Sequence, residues 1–371
     1  MKRSLAIVSL ACAAALVVSC GAEKPEVAEG RATLVLQAMD TSGVYSEGWS
    51  GVANASIEIT SATSAYRQVF TTDETGWIAI DELSSGTYYI QASMRDDEHD
   101  VLLTGQRKMK LTSEAEVKDT LFMSFVPMSP IVINELYYAG CNASSFYFYD
   151  QYVELYNSTE DTLYLDGIVV CRSQQSEVLT PEELESVDYA LAYYMYQFPG
   201  TRGATRQWPL GPHEFAVIAC DAINHYIYGG GRCVDLLNAD YEFFNARAND
   251  YDNVSVPNID QLTNSTVDFA LNLAHTGVFI ATGEEYTFIE HDGSSFVQVP
   301  LRTILDAVEY TASQSATFRR YLTLRIDAGL GGNGMSRYSG QSIERKVPGF
   351  DSNNSSFDFE ISGTPTPGYS H

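Results

Sequence analysis

Ile131-Val132-Ile133-Asn134-Glu135-Leu136, then Gln151-Tyr152-Val153-Glu154-Leu155-Tyr156-Asn157, then Leu163-Tyr164-Leu165-Asp166-Gly167 are short apolar runs, each broken by a polar residue. Runs this brief, bounded by Asn, Asp and Gly, predict strands, because a helix needs ten or more residues at a 3.6 period. The same reading extends toward the N-terminus. Leu34, Leu36 and Ala38 alternate with polar neighbours, as do Ile57 and Ile59, Val69 and Thr71, Ile78 and Ile80, and Tyr88 and Ile90. Period two means half-buried strands. Between them, Asp73-Glu74-Thr75-Gly76 and Ser84-Ser85-Gly86 supply turns. The expectation is an all-β chain of two β-sandwich domains in tandem, 31–126 and 131–371, joined by the Pro- and Met-rich stretch Met123 to Pro130.

Composition agrees and narrows the function. With 371 residues, the chain is long enough to bury a sizeable core. It carries 24 Tyr against 3 Trp, a surplus that suits strands. Lys and Arg total 22 against 48 Asp and Glu, a net charge of −26, which repels phosphate backbones and argues against nucleic acid as a partner.

At the N-terminus Lys2 and Arg3 precede an uncharged run, Ser4 to Ser19, whose apolar core Leu5 to Val18 falls short of the ~20 residues of a permanent membrane span. The run ends Val17-Val18-Ser19-Cys20-Gly21, which resembles the bacterial lipoprotein signal. That resemblance implies removal of residues 1–19, acylation of Cys20 and attachment to the cell envelope. Gly21 in place of Asp points by analogy to the outer membrane. Residues 20–30 then read as a tether.

Removing Cys12 with the signal and Cys20 with the lipid leaves Cys141, Cys171, Cys220 and Cys233. An even number in an oxidising compartment favours disulfides. Three pairings are open; Cys141–Cys171 with Cys220–Cys233 is preferred, since the second closes a short loop worth roughly 3 kcal/mol by restricting the unfolded chain. With no Cys-x-x-Cys spacing, zinc is not expected.

Two resemblances add to this. Val52-Ala53-Asn54-Ala55-Ser56-Ile57, Thr72-Asp73-Glu74-Thr75-Gly76 and Leu83-Ser84-Ser85-Gly86-Thr87-Tyr88 resemble the carboxypeptidase-regulatory, transthyretin-like sandwich, a module that implies a spacer or binding platform. The order I-x-I-N-E, Y-V-E-L-Y-N, L-x-L-D-G from Ile131, with the closing Phe357-Asp358-Phe359 and Thr364-Pro365-Thr366-Pro367-Gly368, resembles the immunoglobulin-like lamin-tail domain. Residues 172–207 and 222–264 then stand out as insertions, and Thr180-Pro181-Glu182-Glu183 carries a capping box that predicts a short helix. Together these features resemble a lipoprotein family of Bacteroidota with no assigned activity.

Candidate chemistry is sparse. Glu135 and Glu154 are a conceivable acid–base pair, but both sit at positions of the strand motif. Asp221, Asp235, Asp240 and Asp250-Tyr251-Asp252-Asn253 offer oxygen ligands and His225 a lone ring nitrogen, yet loops rich in Asp and Asn ordinarily make turns; no catalytic residue, metal or cofactor is expected. Tyr189, Tyr193, Tyr194, Tyr196 and Phe198, on the first insertion, are the expected binding aromatics for a protein or for sugar rings. Asp119-Thr120-Leu121 and Asp161-Thr162-Leu163 resemble acceptors for O-linked glycans in Bacteroidota, implying Thr120 and Thr162. The expected function is a non-enzymatic envelope lipoprotein that binds or scaffolds a protein partner or glycan, as an accessory of an outer-membrane receptor system. The competing reading is a metal-dependent hydrolase with its site in the insertions.

Overall fold

The computed structural model describes residues 31–41, 48–61, 66–96, 101–112, 116–126, 129–141, 144, 147–173, 178–229, 233–312 and 320–369. The expected signal and tether, Cys20 included, lie outside the described residues. Strands dominate and helix is confined to single turns, so the protein is all-β. Among the described residues no helix is long and apolar enough to cross a membrane.

Residues 31–126 supply one eight-stranded sheet. Its first strand, Arg31–Asp40, alternates exposed or half-buried with buried positions. Leu34, Leu36 and Ala38 point into a core shared with Ile57, Ile59, Ile80, Leu83 and Ile90. This strand runs antiparallel to Trp77–Ser84 and parallel to Glu116–Val126, so the ends of the segment are hydrogen-bonded together. Gly76, at φ +81°, sits where a Cβ would lie 2.6 Å from the Ala38 carbonyl oxygen, which is why the turn after Asp73 needs glycine.

From Ile131 onward the sheets stack in layers. A six-stranded sheet holds Ile131–Tyr137 and Tyr152–Asn157 at its centre, flanked by Phe215–Ala219 and Ser342–Arg345. A five-stranded sheet is built around Val169–Arg172 and His275–Ala281, and a three-stranded sheet contains Tyr189–Ala192 and Ser294–Pro300. Alternation sorts the side chains. Ile133, Val153, Leu155 and Ile218 meet Val170, Ile280 and Val308 between the first two sheets. Val169, Cys171, Phe279 and Ala281 point the other way, toward Val297 and Val299 of the third. The five-stranded sheet is thus covered on both faces, and its strand His275–Ala281 is buried at every position.

The sequence expectations divide here. The capping box forms: Glu183 N–H donates to Thr180 Oγ1 (3.2 Å) and Thr180 N–H donates to Glu183 Oε2 (2.8 Å), starting the turn Pro181–Leu184. The first insertion, 172–207, contributes strands to two of the sheets rather than a surface excursion, through Tyr194–Gln197 and Tyr189–Ala192. The second, 222–264, covers the outer face of the six-stranded sheet, where Leu236 and Val256 pack on Tyr137, Tyr152, Val217 and Ala219.

Candidate functional site

Strand pairing sets Glu154, Glu135 and Glu344 side by side across three adjacent strands, on the face turned away from the sandwich core. The register slips between Glu154 and Leu155, leaving Asn134 as an extra residue. Its amide donates to Glu154 Oε1 (2.9 Å), and the Tyr152 hydroxyl donates to Glu135 Oε2 (2.5 Å). The C-terminal segment closes over them: Thr366 N–H donates to both Glu135 oxygens (3.2 Å each) and Gly368 N–H donates to Glu154 Oε2 (2.6 Å). Glu135 and Glu154 are both 0% exposed, so neither can exchange a proton with a bound substrate. Burial pushes Glu135 up to about 7 and, with the Glu135 charge adding to it, Glu154 up to about 9. The pair anchors the chain end.

Three of the five expected binding aromatics are core. Tyr194, Tyr196 and Phe198 are buried, and Tyr189 and Tyr193 half-buried. Tyr196 stands edge-on to Phe243 (5.2 Å) and Phe269 (5.4 Å), and Phe198 edge-on to Tyr241 (4.8 Å). The reason is that this insertion became sheet, and an inner strand buries its rings.

The cysteine pairing is corrected in the same way. Cys141 bonds Cys233, with their Cα atoms 4.8 Å apart, while Cys171 and Cys220 are free and buried. Period two continues from Ala216 and Ile218 to Cys220, turning its thiol into the sandwich core. Cys171 faces the far side of the five-stranded sheet. Neither can reach the outer insertion that carries Cys233. Beside the disulfide, Asp150 accepts from the Tyr137 hydroxyl (2.7 Å), and burial pushes its carboxyl up to about 6.

Of the oxygen ligands in the second insertion, most make turns. Asp235 accepts from the Asn224 amide (2.7 Å), Asp240 from Val217 N–H (2.9 Å) and Asp252 from the Asn258 amide (3.0 Å). His225 Nε2 lies 2.8 Å from the Asp221 carbonyl oxygen, so it carries the proton and donates. Nδ1 then accepts from the Tyr147 hydroxyl (2.6 Å). Burial lowers its affinity for a second proton, so this histidine is neutral and fully engaged. Asp221, Asp250 and Asp268 are different. One oxygen from each lies within 4.8 Å of the others. Asp221 follows the strand Phe215–Ala219, Asp250 lies in the insertion with Asn245 N–H donating to its Oδ2 (2.6 Å), and Asp268 precedes Phe269 of the core. Burial and the neighbouring Asp250 push Asp221 and Asp268 up to about 8. Asp268 is the member that the sequence reading missed, since it lies outside the insertion and in no recognisable motif.

Residues 211–366 match the profile of a family described as protein of unknown function (DUF4876). The DUF4876 match therefore spans Asp221, Asp250 and Asp268, the second insertion and the strand that carries Glu344. A DUF4876 family protein from Bacteroides thetaiotaomicron has a similar structure, with TM-score 0.56 and 20% identity over 88% of this chain and 94% of that one; at this identity the likeness shows the fold. A protein provisionally described as carbohydrate-binding from Pseudomonas aeruginosa aligns at TM-score 0.20 and 17% identity, covering 25% of this chain and 88% of its own. A DUF3823 family protein from Parabacteroides merdae aligns at TM-score 0.18 and 8% identity over 73% and 96%. Likenesses this slight carry no argument. No curated protein sequence matches the chain.

Within the DUF4876-matched segment, large apolar side chains reach solvent at Tyr226, Ile227, Leu237, Tyr251, Val254 and Val267. Val254 is 89% exposed. Of the two glycan acceptors read from sequence, Thr162 is exposed beside a strand end, whereas Thr120 is half-buried within Glu116–Val126.

Proposed function

We propose that the protein is a non-enzymatic lipoprotein of the cell envelope, anchored through acylated Cys20, that binds a protein partner or a glycan at the surface of residues 222–267. The observation that carries this reading is a division of labour among side chains. The glutamates suited to acid–base work are sealed under the C-terminal segment, while the second insertion exposes Tyr226, Ile227, Leu237, Tyr251 and Val254. Apolar side chains offered to water suit recognition better than turnover. The metal-dependent hydrolase is the weaker reading, because the ligand atoms that come together are half-buried to buried carboxylates with no histidine among them.

Crosslinking in intact cells tests the reading. The wild-type protein is expected to capture an envelope component that the double variant Tyr251→Ala, Val254→Ser does not; if no protein is captured, a glycan array probes the same surface with the same pair of proteins. Equal capture or equal glycan binding by both would defeat the assignment of the surface. For the anchor, Cys20→Ala is expected to move the protein from the membrane to the soluble fraction.

A further inference from the structure

We infer that Asp221, Asp250 and Asp268 form a binding site for one calcium ion, which ties three separate stretches of the chain together beneath the second insertion. The ligand atoms are carboxylate oxygens alone, all within 4.8 Å of one another. Oxygens at 2.3–2.6 Å from a shared calcium lie at most about 5 Å apart, so the spacing fits a common ion. Hard oxygen donors without thiolate or imidazole select calcium over zinc or copper.

A cluster of acids alone would prove little, since protonation could also relieve it. The independent sign is Tyr196. This residue is 0% exposed, yet its hydroxyl has no hydrogen-bond partner. Its ring packs edge-on against Phe243 and against Phe269, the residue after Asp268, and the charges that act most strongly on it are those of Asp250 and Asp268, so it lies near the cluster. Asp250 Oδ1 and Asp268 Oδ1 are buried and no N–H or hydroxyl donates to them, their polar neighbours being the other carboxylates of the cluster. An orphaned donor and two orphaned acceptors at one spot leave several buried polar atoms unsatisfied, each costly. A hydrated cation resolves all of them together: it takes the free carboxylate oxygens, and its water or an ionised carboxylate accepts from the Tyr196 hydroxyl. The strongest charges acting on Asp221 are Asp250 and Glu242, both negative. The overall charge of −26 draws cations toward the molecule.

The test uses the purified full chain, stripped with EGTA and dialysed into metal-free buffer with 100 mM KCl. Calcium chloride at 1 mM is expected to raise the Tm by about 5 °C. Terbium is expected to show tyrosine-sensitised emission that saturates near one ion per chain and is displaced by calcium. Asp268→Asn should lose both responses, and Glu360→Gln, an exposed control, should keep both. Wild-type protein whose Tm ignores calcium, or whose terbium uptake climbs without saturating near one, overturns the site whatever the variants do. So does an Asp268→Asn protein that folds and still binds terbium as the wild type does.

Discussion

Arg345 Nη2 donates to Asp306 Oδ2 across 2.7 Å, with the two side chains 1% and 0% exposed. The guanidinium also donates through Nε to the Ile133 carbonyl oxygen (2.8 Å) and through Nη1 to that of Phe350 (2.7 Å), and lies 3.5 Å from Asp358. One buried cation thus joins the six-stranded sheet, the five-stranded sheet and the loop 350–358. Burial disfavours its charge, but the three surrounding carboxylates outweigh that and hold Arg345 protonated.

Removing that cation leaves buried acids uncompensated. Arg345→Ala is expected to destabilise the fold by about 3–5 kcal/mol, measured as a lower urea midpoint, with Arg345→Lys intermediate because a point charge cannot serve all the acceptors.

The sealed glutamates make stability depend on pH. Glu135 and Glu154 titrate at about 7 and about 9 when folded, against 4.5 when unfolded. Above 4.5 the unfolded chain releases protons that the folded chain retains, so stability is greatest below about 4.5 as far as these two groups decide it. It then declines as pH rises through 7 and 9. Denaturation between pH 5 and 9 should show a loss on the order of a few kcal/mol, flattened in Glu154→Gln. A wild-type profile that rises over this range would refute the assignment.

Peptide mapping without reductant should recover Cys141 joined to Cys233, with Cys171 and Cys220 alkylated only after unfolding. The bond closes a loop of 92 residues. Replacing both partners by Ser should cost about 2–5 kcal/mol.

Aromatic residues at the two insertions should respond oppositely. Phe198→Ala, in the core, should lose about 3–5 kcal/mol of stability. Tyr251→Ala, on the surface, should change stability by no more than about 0.5 kcal/mol and reduce partner capture.

If an O-glycan is attached, intact-protein mass spectrometry of Thr162→Ala should lose it. Thr120→Ala should not, because Thr120 lies half-buried in a sheet strand.

Much of the architecture was readable along the chain. Leu34, Leu36 and Ala38 announced their strand because a two-residue period and a buried face are the same fact seen locally. Thr180 and Glu183 announced their helical turn because a capping box spans only four residues. Tyr196 was readable as a ring, but whether that ring met solvent depended on whether Tyr194–Gln197 found partner strands, and those come from residues 169–172 and 260–261. Likewise Cys233 lies 13 positions from Cys220 and 92 from Cys141, yet sheet alternation turned Cys220 inward and left the distant cysteine as the neighbour.

Sequence by itself determined what short-range physics can express: strand period, turn chemistry and the charge of the chain. Tertiary structure alone decided which carboxylates became neighbours. Asp221, Asp250 and Asp268 meet because the end of the strand Phe215–Ala219, the second insertion and the stretch before Phe269 come to one place. Such a meeting is set by the packing of whole sheets, and no local pattern encodes it.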